Sequence, residues 1–323
     1  MHDFNNPFIR SHFAKQERKM IRKSGNVIGG IILAALLFTD IIGEIVGELI
    51  SFLSEYYVID NTLTAYLLQI IFSSILFIPP FFLMAKVEGF KVRNLFARKK
   101  VPFLTGASAV LGGFTLCLAI NVATSYWVRF LESLGMNTKS VGLPEPVGTF
   151  ETIVWIFTLS IMPAIVEEFA FRVVVLGSLR RYSDTFAIFA SATLFGLVHG
   201  NFIQIPFAFM IGLVFAYITI NTGSVIPAIC IHFLNNFNSC VMTLIAKNFS
   251  PYVQAMLSYG IIMVMALLGT FGFIYINKKK LLDKKLYKPD CITSSPMAFG
   301  TFYSAPFVIA LTAVLILSAV LAL

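Results

Sequence analysis

Polar and ionisable side chains recur inside three apolar stretches of this sequence, where such groups are rare. They are Glu167, Glu168, Arg172, His199, His232 and Asn236. A carboxylate beside an imidazole can take a proton from water as a general base, while a second imidazole and an amide can donate to a developing oxyanion. Alternatively, the histidines, a glutamate and the asparagine could hold a divalent metal that activates the water, and this donor set suits zinc. The candidate metal ligands are Glu167, His199 and His232.

The helical spacing of these residues predicts separate roles for them. Glu168 and Arg172 are four residues apart with the acid first, which is the better orientation for an ion pair on one helix face. Glu167 diverges from Glu168 by about 100° around the helix axis, so we expect it to face a cavity. His232 and Asn236 are also four residues apart and share a face.

Depth in the membrane decides whether the three stretches can bring these groups together. Glu167 lies 16 residues before Ser183, which marks a polar turn, and His199 lies 16 residues after it. On antiparallel helices that rise ~1.5 Å per residue, these two side chains reach the same depth. His232 follows Ser224 by eight residues, about 12 Å, which is shallower but within the range of helix tilt. A lone buried histidine or one Glu–Arg pair could have a purely structural role in helix packing, whereas the convergence of all six residues favours a catalytic site.

The composition indicates that lipid is the solvent of this chain. Hydrophobic residues make up 58% of the 323 residues, charged residues only 12%, and the mean hydropathy is +0.84. A soluble domain has ~25% charged residues, and a membrane span needs roughly 20 apolar residues. The predicted fold class is all-α, a polytopic transmembrane helical bundle of about eight or nine membrane helices. The predicted spans are 27–50, 64–85, 102–128, 151–176, 185–199, 202–220, 224–246, 252–276 and 301–323.

The distribution of the net charge of +8 predicts an orientation. Lysine and arginine gather on one side of the nine-span path, which the positive-inside rule assigns to the cytoplasm together with the N-terminus. The predicted organisation is a basic cytoplasmic tail (1–26), a transmembrane bundle (27–276) with a catalytic core at about 151–246, a basic polar linker (277–300) and a C-terminal membrane helix (301–323). We expect the basic loops to contact anionic lipid rather than nucleic acid. They also suggest that a substrate approaches from the cytoplasmic side.

A second acidic group and the cysteines need a separate interpretation. The first span carries acids at i, i+4 and i+8, namely Asp40, Glu44 and Glu48, beside Gly43 and Gly47. This stripe could line a cation path or a wet cavity, or it could pair with distant spans, and the glycines could allow close helix packing. The cysteines have no metal-ligand spacing and are expected to be small buried side chains: Cys117, Cys230, Cys240 and Cys291.

The three motifs together resemble the type II CAAX-prenyl-protease family of intramembrane proteases, also called the CPBP or Abi family. The family pattern EExxxR, FxxxH and HxxxN stands here as Glu167-Glu168 with Arg172, Phe195 with His199, and His232 with Asn236. The resemblance covers roughly 151–246. It implies a membrane endopeptidase that acts on a membrane-anchored peptide or protein, which in some members is a prenylated CaaX protein. Bacterial members are tied to bacteriocin immunity or to processing of membrane peptides, which implies an integral protein of the bacterial plasma membrane.

The resemblance also implies roles for individual residues. Glu167 and His199 would activate the water, His232 and Asn236 would assist the tetrahedral intermediate, and Glu168 and Arg172 would support them. Zinc or another divalent metal is implied only by those members that are described as metal-dependent.

Two other functions stay open on the sequence alone. An ion-coupled transporter would use the acidic stripe of the first span and the buried His–Glu pairs, which also suit proton relays, although the sequence has no repeat of the kind that many transporters show. A non-catalytic immunity or scaffold protein would keep the fold without the chemistry. Such a protein would have no reason to carry charges that cost roughly 2.5–3.5 kcal/mol each at bilayer depth.

Overall fold

The chain is mostly helical in the residues that its computed structural model describes, which are 7–54, 60–95, 100–138, 142–278, 286–287 and 293–321. These ranges contain no β-strand, so the predicted all-α bundle is confirmed. The helices that carry the fold are α1 (Pro7–Ser54), α2 (Asn61–Val87), α3 (Phe103–Ser133), α4 (Thr149–Leu179), α5 (Asp184–Val198), α6 (Gln204–Thr222), α7 (Ile226–Asn248), α8 (Pro251–Lys278), α9 (Ser295–Tyr303) and α10 (Pro306–Leu321). Cys291 and much of the predicted linker 277–300 lie outside the described residues.

Seven helices of the described chain are long and apolar enough to cross a membrane. Helices α9 and α10 meet at a bend of 73° and form an eighth candidate when they count as one span. Helix α5 has 15 residues, about 22 Å, which is shorter than the ~30 Å hydrocarbon layer. The predicted number of eight or nine is therefore met at its lower end, because the segment predicted at 185–199 is too short to reach across.

Helix α1 extends far beyond the predicted first span. It begins at Pro7, within the predicted basic tail, and runs for 48 residues, about 72 Å. Strong helix formers fill residues 14–23, and no glycine or proline interrupts the helix before Gly25. Because α1 is more than twice as long as the hydrocarbon layer is thick, one end must project from the membrane.

Helix α4 carries two wide turns on either side of its paired glutamates. Its backbone is π-helical at Phe157–Ile161 and at Phe169–Leu176. Pro163 follows the first segment, and it has no N–H while its ring clashes with the carbonyl four residues earlier. The preceding turn therefore widens, and the N–H of Met162 donates to the carbonyl of Phe157, five residues back. Such π turns occur frequently at functional sites.

The hairpin of α5 and α6 crosses closely at two glycines. A Cβ atom at Gly196 would lie 3.0 Å from the carbonyl oxygen of Ile205, and one at Gly212 would lie 3.2 Å from the ring of Phe195. Larger side chains would push the two helices apart. This close crossing fixes the corner between α5 and α6, where His199 lies.

Candidate active site

Arg172 and Glu168 form an ion pair at the floor of the site. Arg172 Nε lies 3.0 Å from Glu168 Oε2, and both side chains are fully buried. The guanidinium lies 4.6 Å from the ring centroid of Phe195, and its Nη1 donates to Ser191 Oγ at 3.3 Å. This is the pair that the i,i+4 spacing predicts. Its contacts with two residues of α5 tie α4 to that helix.

His232 of α7 stands between the two glutamates. Its Nδ1 lies 3.1 Å from Glu168 Oε1, and its Nε2 lies 3.9 Å from Glu167 Oε2. Because an ionised carboxylate only accepts hydrogen bonds, Nδ1 carries the hydrogen and is the donor in the hydrogen bond to Glu168. The imidazole stacks on Phe215 with the ring centroids 5.3 Å apart. Glu168 therefore orients the imidazole so that Nε2 faces Glu167.

The FxxxH motif sets the tautomer of His199. Its Nδ1 lies 2.8 Å from the backbone carbonyl oxygen of Phe195. A carbonyl oxygen only accepts, so Nδ1 is the donor, and in the neutral imidazole Nε2 is then an acceptor. The ring of Phe195 meets the imidazole edge-on at 4.9 Å between centroids. One phenylalanine thus positions both His199 and the Arg172 guanidinium.

Glu167 points into a cavity of about 360 Å³ that runs between α4, α6 and α7. The cavity is also lined by His199, His232, Asn236, Trp155, Ser239 and Thr243. The side chain of Glu167 is 17% exposed, yet its buried Oε2 atom accepts no hydrogen bond from any described residue. The indole N–H of Trp155 is likewise buried without an acceptor among the described residues. Two residues that line the cavity therefore each contain a buried polar atom without a partner among the described residues, one an acceptor and the other a donor.

A chain of asparagines leads from α3 to the cavity. Asn121 Nδ2 donates to Asn235 Oδ1 at 3.0 Å, and Asn235 Nδ2 donates to Asn236 Oδ1 at 3.2 Å. Because the oxygen of Asn236 is used as an acceptor, its own amide N–H groups are left to donate in the cavity. The amide orientations follow from this network.

The structure brings all six predicted residues to one place. Glu167, His199, His232 and Asn236 line the cavity, while Glu168 and Arg172 lie buried beneath it. Equal depth pairs Glu167 with His199 in the sequence analysis, but the imidazole within 4.0 Å of Glu167 is that of His232. The reason is that depth does not fix side-chain direction, and His199 turns back to a carbonyl of its own helix.

Three residues of the site escaped the sequence analysis. Asn121, Asn235 and Trp155 belong to no spaced motif, and a contact between α3 and α7 cannot be read from spacing within one helix. The available signal was a lone asparagine within the apolar α3 and a second asparagine directly before Asn236.

The predicted metal ligands are not arranged as a coordination sphere. Within the described residues, no group of three or more His, Cys, Asp or Glu side chains could hold a metal ion as placed. The donor atoms are those that zinc prefers, but their placement does not fit the ion. Zinc stays a prediction from the resemblance.

The acidic stripe of α1 takes no part in this site. Asp40, Glu44 and Glu48 lie exposed on α1, and a Cβ atom at Gly43 or Gly47 would meet nothing within 4 Å. None of the three acids lines the cavity that contains Glu167. Among the described cysteines, Cys117 and Cys240 are buried as expected, and Cys230 is partly buried.

A glutamate and two imidazoles around a cavity inside a membrane bundle define a candidate intramembrane hydrolase. Residues 149–238, which are 90 of the 323 residues, match the family model described as type II CAAX prenyl endopeptidase Rce1-like. This segment begins with α4, ends within α7 and contains all six predicted residues, so the resemblance is confirmed there. The match indicates a protease at the level of the family. Comparison with curated proteins and with solved structures found no match.

Proposed function

We propose that this protein is an intramembrane endopeptidase in which Glu167 and His199 activate a water. The observation that carries the proposal is the partly exposed side chain of Glu167, whose Oε2 accepts no hydrogen bond from a described residue, in a cavity that is also lined by His199 with its acceptor Nε2. A water with two O–H groups can donate to both acceptors, which directs its lone pair at a substrate carbonyl. General-base assistance of this kind contributes about 10²–10⁴-fold to a rate.

The proposed reaction balances with the residues of this cavity. Glu167 takes a proton from the water as the water oxygen bonds to the carbonyl carbon of the peptide. The oxyanion accepts a hydrogen bond from the amide of Asn236, and His232 donates to it when Nε2 carries a proton. As the C–N bond breaks, the proton on Glu167 passes to the leaving nitrogen. Glu168 and Arg172 act by positioning, because neither reaches the cavity.

The shape of the cavity supports a peptide as the substrate. Trp155 and Glu167 are 12 residues apart on α4, about 18 Å, which matches five or six residues of extended chain. The unpartnered indole N–H of Trp155 can donate to a backbone carbonyl of that chain. A peptide carbonyl would therefore satisfy the N–H of Trp155, while Glu167 Oε2 would accept from the attacking water.

Cleavage by the purified protein tests this proposal. Wild type and Glu167→Gln would be incubated in detergent with a panel of membrane-anchored peptides that includes a prenylated CaaX peptide, and products would be identified by mass spectrometry. We expect wild type to cleave at least one peptide and Glu167→Gln to lose about 10²–10⁴-fold in rate. Cleavage should persist in a chelator. A loss that zinc restores would instead assign the water to a metal, and no cleavage of any peptide would contradict the proposal.

We also propose that anionic lipid binds along the projecting end of α1. Basic residues with helical spacing line a groove of about 540 Å³ between α1 and α9: Lys15, Arg18, Lys19 and Arg22. The described lining of this groove contains no acid. Lys15→Gln/Lys19→Gln should lower the retention of phosphatidylglycerol over phosphatidylcholine in native mass spectrometry. The matched control Lys86→Gln/Lys91→Gln should not, and equal loss in both variants would contradict a specific groove.

A further inference from the structure

Most basic residues of the described chain lie at one end of the bundle, and Arg129 and Lys247, near the ends of α3 and α7, are exceptions. That end is formed by the start of α1, the end of α2, the end of α4 and the end of α8, with Lys15, Lys19, Arg22, Lys86, Arg181 and Lys278. Contacts join these ends directly, because Ser24 Oγ lies 3.0 Å from the Tyr182 hydroxyl and Arg181 pairs with Glu88. The positive-inside rule assigns this basic end to the cytoplasm.

The cavity closes toward this basic end. Residues 170–176, which follow the paired glutamates on α4, are all buried. On the facing helices, Phe195 and Phe215 are fully buried and pack around Arg172. The ion pair of Arg172 and Glu168 is therefore a sealed floor rather than a passage.

The cavity opens toward the opposite end of the bundle. Along α7 its lining runs from His232 to Thr243, only five residues before the helix ends at Asn248. Along α4 it runs back from Glu167 to Trp155 near the start of that helix. Two of its lining residues, Gln204 and Ser239, are exposed.

We infer that the substrate reaches the site from the non-cytoplasmic face of the membrane. That the cavity binds a substrate rests on the proposed function. The direction of entry rests on the closed floor of the cavity and on the basic end of the bundle. It is opposite to the cytoplasmic approach that the basic loops alone suggest. The peptides that fit are membrane-anchored segments whose cleaved bond lies on the outer side.

The charged residues in and near the cavity indicate which peptide bond of a substrate it can accept. A protein that is trimmed by three C-terminal residues presents its free carboxylate about 10 Å beyond the cleaved bond. Among the described residues that line the cavity there is no lysine or arginine. Lys247, on the same face of α7, lies 15 residues beyond His232, about 22 Å away, and its Nζ donates to the carbonyl of Pro146. The cavity therefore suits an internal peptide bond better than the removal of a C-terminal tripeptide.

Cysteine accessibility tests the direction without any need for cleavage. Ser239→Cys would be introduced into the full chain after its native cysteines are replaced by alanine, and cells and inverted membrane vesicles would be treated with a membrane-impermeant maleimide. Lys19→Cys marks the basic end, and Ser250→Cys marks the opposite end. We expect Ser239→Cys and Ser250→Cys to be labelled in intact cells, and Lys19→Cys only in inverted vesicles.

Labelling of Ser239→Cys together with Lys19→Cys would overturn the inference, and so would absence of labelling from either side. Because no reaction is measured, this result is independent of whether the protein proves to be a protease.

The preference for an internal peptide bond has its own test, in which the cleavage rates of one peptide with a C-terminal acid and with a C-terminal amide would be compared. Equal rates are expected, and a tenfold preference for the acid would contradict the argument from charge.

Discussion

Replacing Arg172 by methionine should destabilise the protein strongly, because the change leaves a carboxylate buried with one partner fewer. Arg172 Nε and Glu168 Oε2 are 3.0 Å apart and both side chains are 0% exposed, so the value for a buried pair applies. Breaking such a pair by removing one partner costs about 3–5 kcal/mol. That loss corresponds to roughly 10²–10⁴ in the unfolding equilibrium at 1.36 kcal/mol per factor of ten.

The chain contains a matched control for this prediction. Arg180 and Asp184 have the same i,i+4 spacing and an even shorter contact of 2.7 Å, but the Arg180 side chain is 38% exposed, while the buried Asp184 also accepts from the N–H of Tyr287 at 2.8 Å. Because water reaches the guanidinium and Asp184 keeps a hydrogen bond, Arg180→Met should cost less than Arg172→Met. The double variant Arg172→Met/Glu168→Leu should recover part of the loss, because neither charge is then left buried alone.

Unfolding of the purified protein in mixed micelles, followed by tryptophan fluorescence against denaturing detergent, measures these differences. Among the variants, the expected order of stability places Arg180→Met nearest to wild type, the double variant below it and Arg172→Met lowest. A loss under about 1 kcal/mol for Arg172→Met, or one no larger than that for Arg180→Met, would refute the reasoning that burial decides the magnitude.

Three further predictions concern the groups that surround the cavity. Asn121→Leu should lower kcat about tenfold with little change in KM, because it removes the donor that starts the asparagine chain, and steady-state kinetics would show it. Trp155→Phe should raise KM with kcat preserved, since it removes one N–H that the proposal assigns to substrate binding, and an unchanged KM would contradict that role. Gly196→Val should displace His199 and abolish cleavage, whereas Gly260→Val, where a Cβ meets nothing within 4 Å, should keep wild-type activity in the same assay.

Spacing within one helix carried most of the successful reasoning. The four-residue intervals predict the ion pair at Arg172 and the shared face of His232 and Asn236, because helical geometry alone sets those neighbours. The short span that ends at His199 is likewise visible in the sequence, since the polar corner comes after only 15 helical residues.

Relations between helices were harder to read. The asparagine chain from Asn121 to the cavity depends on how α3 packs against α7, which no interval in the sequence encodes. Pro163 accounts in part for the π-helical turns on either side of the glutamates. The exact residues at which the backbone hydrogen bonds change from i,i+4 to i,i+5 depend on packing. The N-terminal segment was predicted as a basic tail because it is charged, whereas the structure has a continuous helix there. A charged segment can be rich in strong helix formers, so charge does not tell whether it is helical.

The central claim, that Glu167 activates water for peptide cleavage, is tested most directly by comparing two intramembrane glutamates in one assay. Single-turnover cleavage of one membrane-anchored peptide would be timed for wild type, Glu167→Gln and Glu44→Gln, the last of which alters an exposed acid that does not line the cavity. We predict a loss of about 10²–10⁴-fold for Glu167→Gln and wild-type cleavage for Glu44→Gln. Wild-type cleavage by Glu167→Gln would contradict the account.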